Sequence, residues 1–357
     1  MNVELKKLSR TIDFKLPAAI LGASLTHDEH SLVAACMDGV YVADLEAKSF
    51  DRIGGHDSYV SSAAFLRDQN RIVTSGYDGV VQWFDGETKQ SQHKLKAHEF
   101  WSWDMAVSPD QKWIATVTGQ YLAGGYKYEP APEREPSVKL ISSETQQVLH
   151  QWPHVPSVQA VAFSNDSRFV AAGNLMGEVR VWDCDSGEQV SSFTTPDFTS
   201  WGIIKSHCYL GGIFALRFTP DDAAIILCGM GDMKDPMAGN GRQLWQKWAW
   251  KESPPKKLDE THQGESGEGL MEALAIHPGG EYFAMGGRLR GGDWNVALFD
   301  LAGGNRIGTL KTGYRVTDLS FTADGKRLLV VGTQGQPEKI NDGKQPHFGR
   351  VEVYGVQ

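Results

Sequence analysis

Cysteine is scarce in this sequence, and the scarcity excludes several chemistries. Only Cys36, Cys184, Cys208 and Cys228 are present, and no two lie within four residues of each other. Neither a paired zinc-ligand motif nor a redox dithiol is therefore written into the chain. The four read as small buried or loop thiols, which suits a reducing compartment. Positive charge is also short: 35 Lys and Arg stand against 44 Asp and Glu, a net charge of -9. With no basic run to offset that balance, neither nucleic acid nor an anionic membrane is the expected partner, because both need a positive field. No apolar stretch reaches the roughly 18–20 residues that cross a bilayer. The opening MNVELKKLSRTIDF carries charges where a secretory leader has an apolar centre. Together these features lead us to expect a cytoplasmic protein.

Catalytic signatures are missing as well. The chain has no Gly-x-Ser-x-Gly elbow, phosphate loop or His-Glu-x-x-His helix. GGIFAL and GGRLRGGDW are glycine-rich but lack the strand-to-helix setting of a phosphate cradle. The paired acids Asp221 and Asp222 fall in a turn and read as solvated turn residues. No catalytic residue, cofactor or metal is assigned.

What the sequence does contain is a recurring phrase: an apolar β-former, a short polar turn, then a second apolar run. It appears as LTHDEHSLVAA, FLRDQNRIVTSG, VSPDQKWIATV, FSNDSRFVAAG, FTPDDAAIILCG, IHPGGEYFAMGG and FTADGKRLLVVG. Each reads as a β-hairpin, strand–turn–strand. The phrases start at Leu25, Phe65, Val107, Phe163, Phe218, Ile276 and Phe321, so successive intervals are 40, 42, 56, 55, 58 and 45 residues. A four-stranded propeller blade needs about 40–45 residues, so the longer intervals imply insertions.

A second phrase follows the hairpins. Its clearest copy, MGEVRVWDCDSGEQ, ends a strand in Trp182-Asp183; DGVVQWFDGETKQ and WNVALFDLAGGN match it, and SVKLISSETQQ and RVEVYG are weaker copies. A Gly-His phrase, GHDSYV, precedes the second hairpin. In these residues, over nearly its whole length, the chain resembles the WD-repeat family. The resemblance implies an all-β fold: a seven-bladed β-propeller of four-stranded antiparallel blades around a channel. One domain spanning 1–357 is expected. The last hairpin lacks an outer strand, and LSRTIDFKLPAAI aligns with the outer strand and link of blade six, GNRIGTLKTGYRV. Residues 4–16 are thus expected to form the outer strand of blade seven and to close the fold, removing an open sheet edge.

The family's buried tetrad joins the Gly-His histidine, a hydroxyl on the second strand, a turn Asp and the Trp of Trp-Asp. No blade carries the full set. Blade two offers His56, Ser75 and Asp78, but Phe84 stands at the tryptophan position and Trp83 is one residue early. Blade four has Trp182 and Asp183, but Met176 replaces the Asp. These six residues (His56, Ser75, Asp78, Phe84, Trp182, Asp183) are assigned structural roles. In QLWQKWAW, Trp248 is the expected equivalent of Trp182.

With strands labelled a to d in each blade, the a–b and c–d turns are short, with the c–d turn of blade five left open. Long connections fall in b–c insertions of blades three (119–137), five (229–241), six (286–294) and seven (332–349), and in the d–a links 195–211 and 252–269. Long loops crowded on one side of a rigid scaffold commonly carry binding, although neutral insertion is the plainer reading. They bear Tyr121, Tyr126, Tyr128, Trp201, Arg288, Arg290, Trp294, His347 and Phe348, along with His207 and Tyr209. Six residues before each anchor lie Ala19, Tyr59, Trp101, Ser157, Gly212, Leu270 and Arg315. Of these, Tyr59, Trp101 and Arg315 would clamp a peptide by stacking and charge; packing between blades is the competing reading for each aromatic. The expected function is a scaffold holding a protein or peptide partner on the face with the long b–c and d–a loops. The alternative is an enzyme at the channel mouth, a metal-assisted hydrolase using some of His56, His98, His154, His207 and His262. Structural histidines bonding the second strand are the simpler reading of that set.

Overall fold

A computed structural model of the chain describes residues 5–119, 133–155, 157–201, 209–235, 240–262, 268–290, 292–335 and 348–357. It is built from seven four-stranded antiparallel blades, a β-propeller. No helix among the described residues is long and apolar enough to cross a membrane. The chain divides into two compact units, residues 1–96, 275–288 and 293–357 in one and residues 97–274 and 289–292 in the other.

The first unit holds three complete blades. Blade one is Ile20–Leu25, Ser31–Cys36, Gly39–Asp44 and Ser49–Gly54; blade two is Val60–Leu66, Arg71–Gly76, Val80–Asp85 and Ser91–Lys96. Blade seven is Arg315–Phe321, Arg327–Gln334 and Phe348–Val356, with Leu8–Leu16 as its outer strand in antiparallel register, Leu8 opposite Val356 and Leu16 opposite Gly349. Strand b of blade one shows why apolar residues run unbroken through the middle of a blade. Its side chains alternate between faces. Leu32, Ala34 and Cys36 pack with Leu329, Val331, Val351 and Val353 of blade seven, whereas Val33 and Ala35 pack with Val60, Ile72 and Phe84 of blade two. A sheet covered on both sides cannot show polar alternation. The outer strand Ser49–Gly54 has mostly exposed side chains.

The second unit repeats the pattern in blade three (Asp104–Val107, Trp113–Val117, Val138–Ser142, Val148–Trp152) and blade four (Val158–Phe163, Phe169–Asn174, Glu178–Asp183, Gln189–Thr194). In blade four, Val170, Ala172 and Trp182 face blade three, while Ala171, Val179 and Val181 face blade five. Blade five is Tyr209–Phe218, Ile225–Asp235, Asn240–Ala249 and Lys256–Glu260. Here the structure corrects three expected connections, one of which, the d–a link expected at 252–269, holds strand d itself, Lys256–Glu260. The insertion at 229–241 continues strands b and c, with Met233 opposite Gly241 and Asp235 opposite Asn240. Within the long link before blade five, Thr199–Trp201 forms a short strand that adds to strand a, Trp201 opposite Tyr209. Glycine and polar residues concealed the first extension, since few of them favour strands, whereas Thr199–Trp201 contains strand formers in a segment too short to show alternation. The c–d turn of blade five, between Ala249 and Lys256, is short. Blade six (Glu268–Ile276, Tyr282–Arg290, Val296–Asp300, Arg306–Leu310) has its strands divided between the units, and its strand b runs into the expected insertion as far as Arg290.

The turns share one chemistry. In five a–b turns a hydroxyl donates to the carboxylate two residues on: Thr26 to Asp28, Ser108 to Asp110, Ser164 to Asp166, Thr219 to Asp221 and Thr322 to Asp324, all at 2.6–2.7 Å. At c–d turns an Asp accepts backbone N–H groups instead. Asp183 takes those of Asp185 (3.1 Å) and Ser186 (3.0 Å), and the Arg168 guanidinium at 2.9 Å. The Asp of Trp-Asp is thus a turn cap, formed because its side chain offers acceptors that the turning backbone lacks.

Candidate interaction surface

At one end of each blade's strands lie the b–c connection and the d–a links. Each link must turn sharply while its backbone N–H groups leave the sheet, so those groups need acceptors. Blades two, three and four supply them in three different ways.

In blade two, His56 Nδ1 lies 2.9 Å from Asp78 Oδ1, and its Nε2 lies 2.9 Å from Thr74 Oγ1. Asp78 Oδ2 also accepts the Asp57 N–H at 3.0 Å. The strand-b hydroxyl is therefore Thr74, not the expected Ser75. Ser75 points to the other face and shares a hydrogen bond with Ser61 at 2.9 Å. Burial opposes the charge on Asp78, but the His56 contact together with the Val80 and Asp57 N–H groups outweighs it and holds the carboxyl below its usual range. Phe84 is buried over Gly54, where a side chain would collide with its ring, and Trp83 is buried against His93.

Blade three lacks the turn Asp, and the far end of its insertion provides a substitute. Glu135 Oε1 accepts the Glu99 N–H at 2.8 Å and the Phe100 N–H at 3.3 Å. Its Oε2 lies 3.0 Å from Lys139 Nζ and 3.6 Å from His98 Nδ1. Burial opposes this carboxylate too, but His98 and Lys139 bring it down to about 2. Burial in turn holds the His98 imidazole below its usual value. Beside it, Glu133 Oε1 accepts the N–H groups of Ser137 (3.0 Å) and His154 (3.1 Å). At the near end of the insertion, Trp103 Nε1 donates to the Gly119 carbonyl at 2.9 Å.

In blade four Asn174 does the work expected of an Asp at Met176. Its Oδ1 accepts the N–H groups of Met176 and Glu178, both at 2.9 Å, and its Nδ2 donates to the Val155 carbonyl at 3.0 Å. His154 donates from Nε2 to the Ala172 carbonyl at 3.2 Å, and burial drives its pKa down to about 3. Trp182 stacks on Trp152 at 5.1 Å, as the expected equivalent Trp248 stacks on Phe193 at 4.6 Å.

His56 and His154 thus bond strand b of their own blades, through the Thr74 hydroxyl and the Ala172 carbonyl, and His98 is buried beside Glu135. His262 sits 3.2 Å from Asp259, and His207 lies outside the described residues. Among the described residues no three His, Cys, Asp or Glu side chains gather at metal-holding spacing.

Of the seven positions six residues before the anchors, Ala19, Ser157 and Gly212 are buried and Leu270 is half-buried. Tyr59 is 39% exposed, Trp101 40%, and Arg315 is also exposed. Tyr59 leans on Tyr77 at 5.8 Å. Trp101 stacks on Phe100 (5.1 Å, 10°) and meets the edge of Trp103 (5.2 Å, 72°). Phe100 and Trp103 adjoin Trp101 in the sequence, whereas Tyr77 is 18 positions from Tyr59 and is brought to it by the pairing of strands a and b. Arg288 is exposed, and Phe348 is half-buried with Lys15 Nζ 4.2 Å from its ring centre. Trp294 is corrected: it is only 6% exposed, edge-on to Phe299 at 6.4 Å with the Arg306 guanidinium 5.8 Å from its ring, so it belongs to the core. Trp201 and Arg290 have described backbone in strands but side chains outside the description; Tyr121, Tyr126, Tyr128 and His347 lie outside it altogether.

Blades of this construction, a Gly-His link and a Trp-Asp turn are those of WD-repeat β-propellers, and this β-propeller carries WD repeats of divergent sequence. The WD domain, G-beta repeat model matches residues 48–85, 89–122 and 146–183. The first and third stretches run from strand d of one blade through strand c of the next. The sequence repeat therefore spans the packing contacts just described, Gly54 under Phe84 and Trp152 under Trp182. The chain is similar to telomerase protein component 1 of Rattus norvegicus, 25% identical over 79% of this chain and 9% of that protein. It is also similar to apoptotic protease-activating factor 1 of Rattus norvegicus, 28% identical over 59% of this chain and 16% of that protein. A guanine nucleotide-binding protein subunit beta of Lymnaea stagnalis is 22% identical over 46% of this chain and 45% of that protein. The chain thus spans under a fifth of the first two relatives.

Proposed function

We propose that this protein is an interaction scaffold that holds a protein or peptide at the blade ends carrying the b–c connections and d–a links. The WD-repeat relatives support a scaffold in general terms. The observation that carries the finer reading is the pair Tyr59 and Trp101. Two large aromatic rings stand well exposed, on links whose backbones are hydrogen-bonded to half-buried carboxylates, where four of the seven equivalent positions are buried or half-buried. Exposing such rings has no benefit for folding, whereas rigid aromatics contribute strongly at interfaces. Arg315 adds a third contact. A net charge of -9 argues against a nucleic-acid partner.

Affinity capture followed by mass spectrometry tests this, comparing wild type with the triple variant Tyr59→Ala, Trp101→Ala, Arg315→Ala. Partners held by the wild type and lost by a folded triple variant are expected. Identical partner sets would refute the placement of the surface.

A further inference from the structure

We propose that the two links preceding blades two and three each read a basic side chain, lysine or arginine, of the bound partner. The inference rests on the functional reading above and adds the chemistry of the occupant.

The links share a pattern, His-acid-x-aromatic: His56-Asp57-Ser58-Tyr59 and His98-Glu99-Phe100-Trp101. The third histidine link, His154-Val155-Pro156-Ser157, has neither the acid nor the ring. In both copies the acid's backbone N–H is tied to a half-buried carboxylate, Asp57 to Asp78 at 3.0 Å and Glu99 to Glu135 at 2.8 Å. The tie fixes the link but leaves the Asp57 and Glu99 side chains exposed. Among the described residues neither carboxylate has an ion-pair partner. Two residues on, the ring is about 40% exposed and braced from behind, Tyr59 by Tyr77 and Trp101 by Phe100 and Trp103.

A free carboxylate beside an exposed, braced ring suits a cation in two ways. The carboxylate supplies charge and hydrogen-bond acceptors, and the ring face attracts an ammonium or guanidinium, tryptophan most strongly. An apolar side chain would satisfy the ring and leave the acid without a counter-charge; an acidic one would be repelled. The net charge of -9 adds long-range attraction for a basic segment. The equivalent residue of blade seven is Arg315, so the preference is confined to the two histidine links.

Fluorescence anisotropy with the full-length chain tests this, using labelled nonapeptides of alternating glycine with lysine, arginine, glutamate or norleucine. Lysine and arginine peptides should bind, and glutamate and norleucine peptides should bind at least tenfold more weakly. Tyr59→Ala and Trp101→Ala should each weaken binding by about 2- to 30-fold. The pair Asp57→Asn, Glu99→Gln should weaken it and reduce its salt dependence. The matched pair Asp51→Asn, Glu144→Gln, which removes two exposed acids elsewhere, should change it less than twofold. Equal losses in the two charge pairs would overturn the proposal, because the attraction would then be general. So would norleucine peptides binding as well as lysine. If native partners are lost with Tyr59→Ala and Trp101→Ala but retained by Asp57→Asn, Glu99→Gln, the basic preference falls while the scaffold surface stands. If neither set matters, both fall.

Discussion

Replacing Glu352 with alanine should destabilise this protein more than removal of any other single charge in blade seven. Glu352 lies on strand c, is 1% exposed, and gathers four donors from three segments. Tyr354 Oη donates to it at 2.6 Å, Arg350 Nη2 at 2.8 Å, Arg10 Nη1 at 3.0 Å and Tyr314 Oη at 3.1 Å. Arg350 also reaches Asp13 at 2.7 Å. Losing the carboxylate takes the acceptor from the buried Tyr354 hydroxyl and leaves Arg350 with Asp13 and Tyr314 with the Val330 carbonyl at 3.4 Å; removing one partner of a buried charged pair typically costs about 3–5 kcal/mol. Arg10 reaches the same oxygen but is half exposed, so Arg10→Ala should cost at most about 1 kcal/mol. Burial opposes the Glu352 charge, but the four donors outweigh it and keep the carboxyl below its usual range. Because the folded value lies below the unfolded one, this contribution is complete above the ordinary glutamate pKa, about 4.3, and is lost as pH falls through the folded value. Urea unfolding at pH 7 and across the acid range measures both effects. The reasoning is refuted if Glu352→Ala lies within 1 kcal/mol of wild type, if Arg10→Ala costs as much, or if Glu352→Gln leaves the acid limb unchanged.

Other outcomes follow from the same geometry. Thr74→Val should cost about 1–3 kcal/mol by stripping His56 Nε2 of its partner in a buried site, read by chemical denaturation. His98 and His154 are held neutral by burial, so unfolding should be promoted as pH falls below about 6.5, where the unfolded imidazoles take up protons; His154→Gln should shallow that slope in thermal scans from pH 7 to 4. Deleting residues 1–16 removes the outer strand of blade seven along with Arg10 and Asp13, and should lower the thermal midpoint by many degrees; an unchanged midpoint would contradict the pairing. Gly177→Ala places a side chain on a backbone with φ of 75° and against the Thr195 carbonyl, and should lose about 1–3 kcal/mol by the same assay.

Most of the blade framework was legible because two periodicities coincide in it: apolar strands, and Asp- or Gly-bearing turns at near-constant spacing. The Ser/Thr-x-Asp turns announce themselves locally, since every participating atom lies within a few residues. The site was harder to read where partners are distant. Nothing in the sequence links Glu135 to His98, 37 positions earlier, because an insertion separates the blade-three strands that bring them together. Thr74 and Ser75 are adjacent hydroxyls on opposite faces of a strand, and a one-residue error in register exchanges their roles. Trp294 looked like a loop aromatic because glycines precede it, yet Phe299 and Arg306 enclose it. The strands of blade five outran their apolar segments because pairing continues through glycine once a register is set.

The offset between the matched stretches and the blades has a consequence for how such a chain tolerates rearrangement. A segment such as 146–183 starts on the outermost strand of one sheet and finishes on the third strand of the next. Excising it would not remove a tile cleanly: it would strip the rim from one sheet and take three layers from its neighbour. Each copy therefore acts as a rivet through two plates, and cooperativity is written into the frame of the repetition itself.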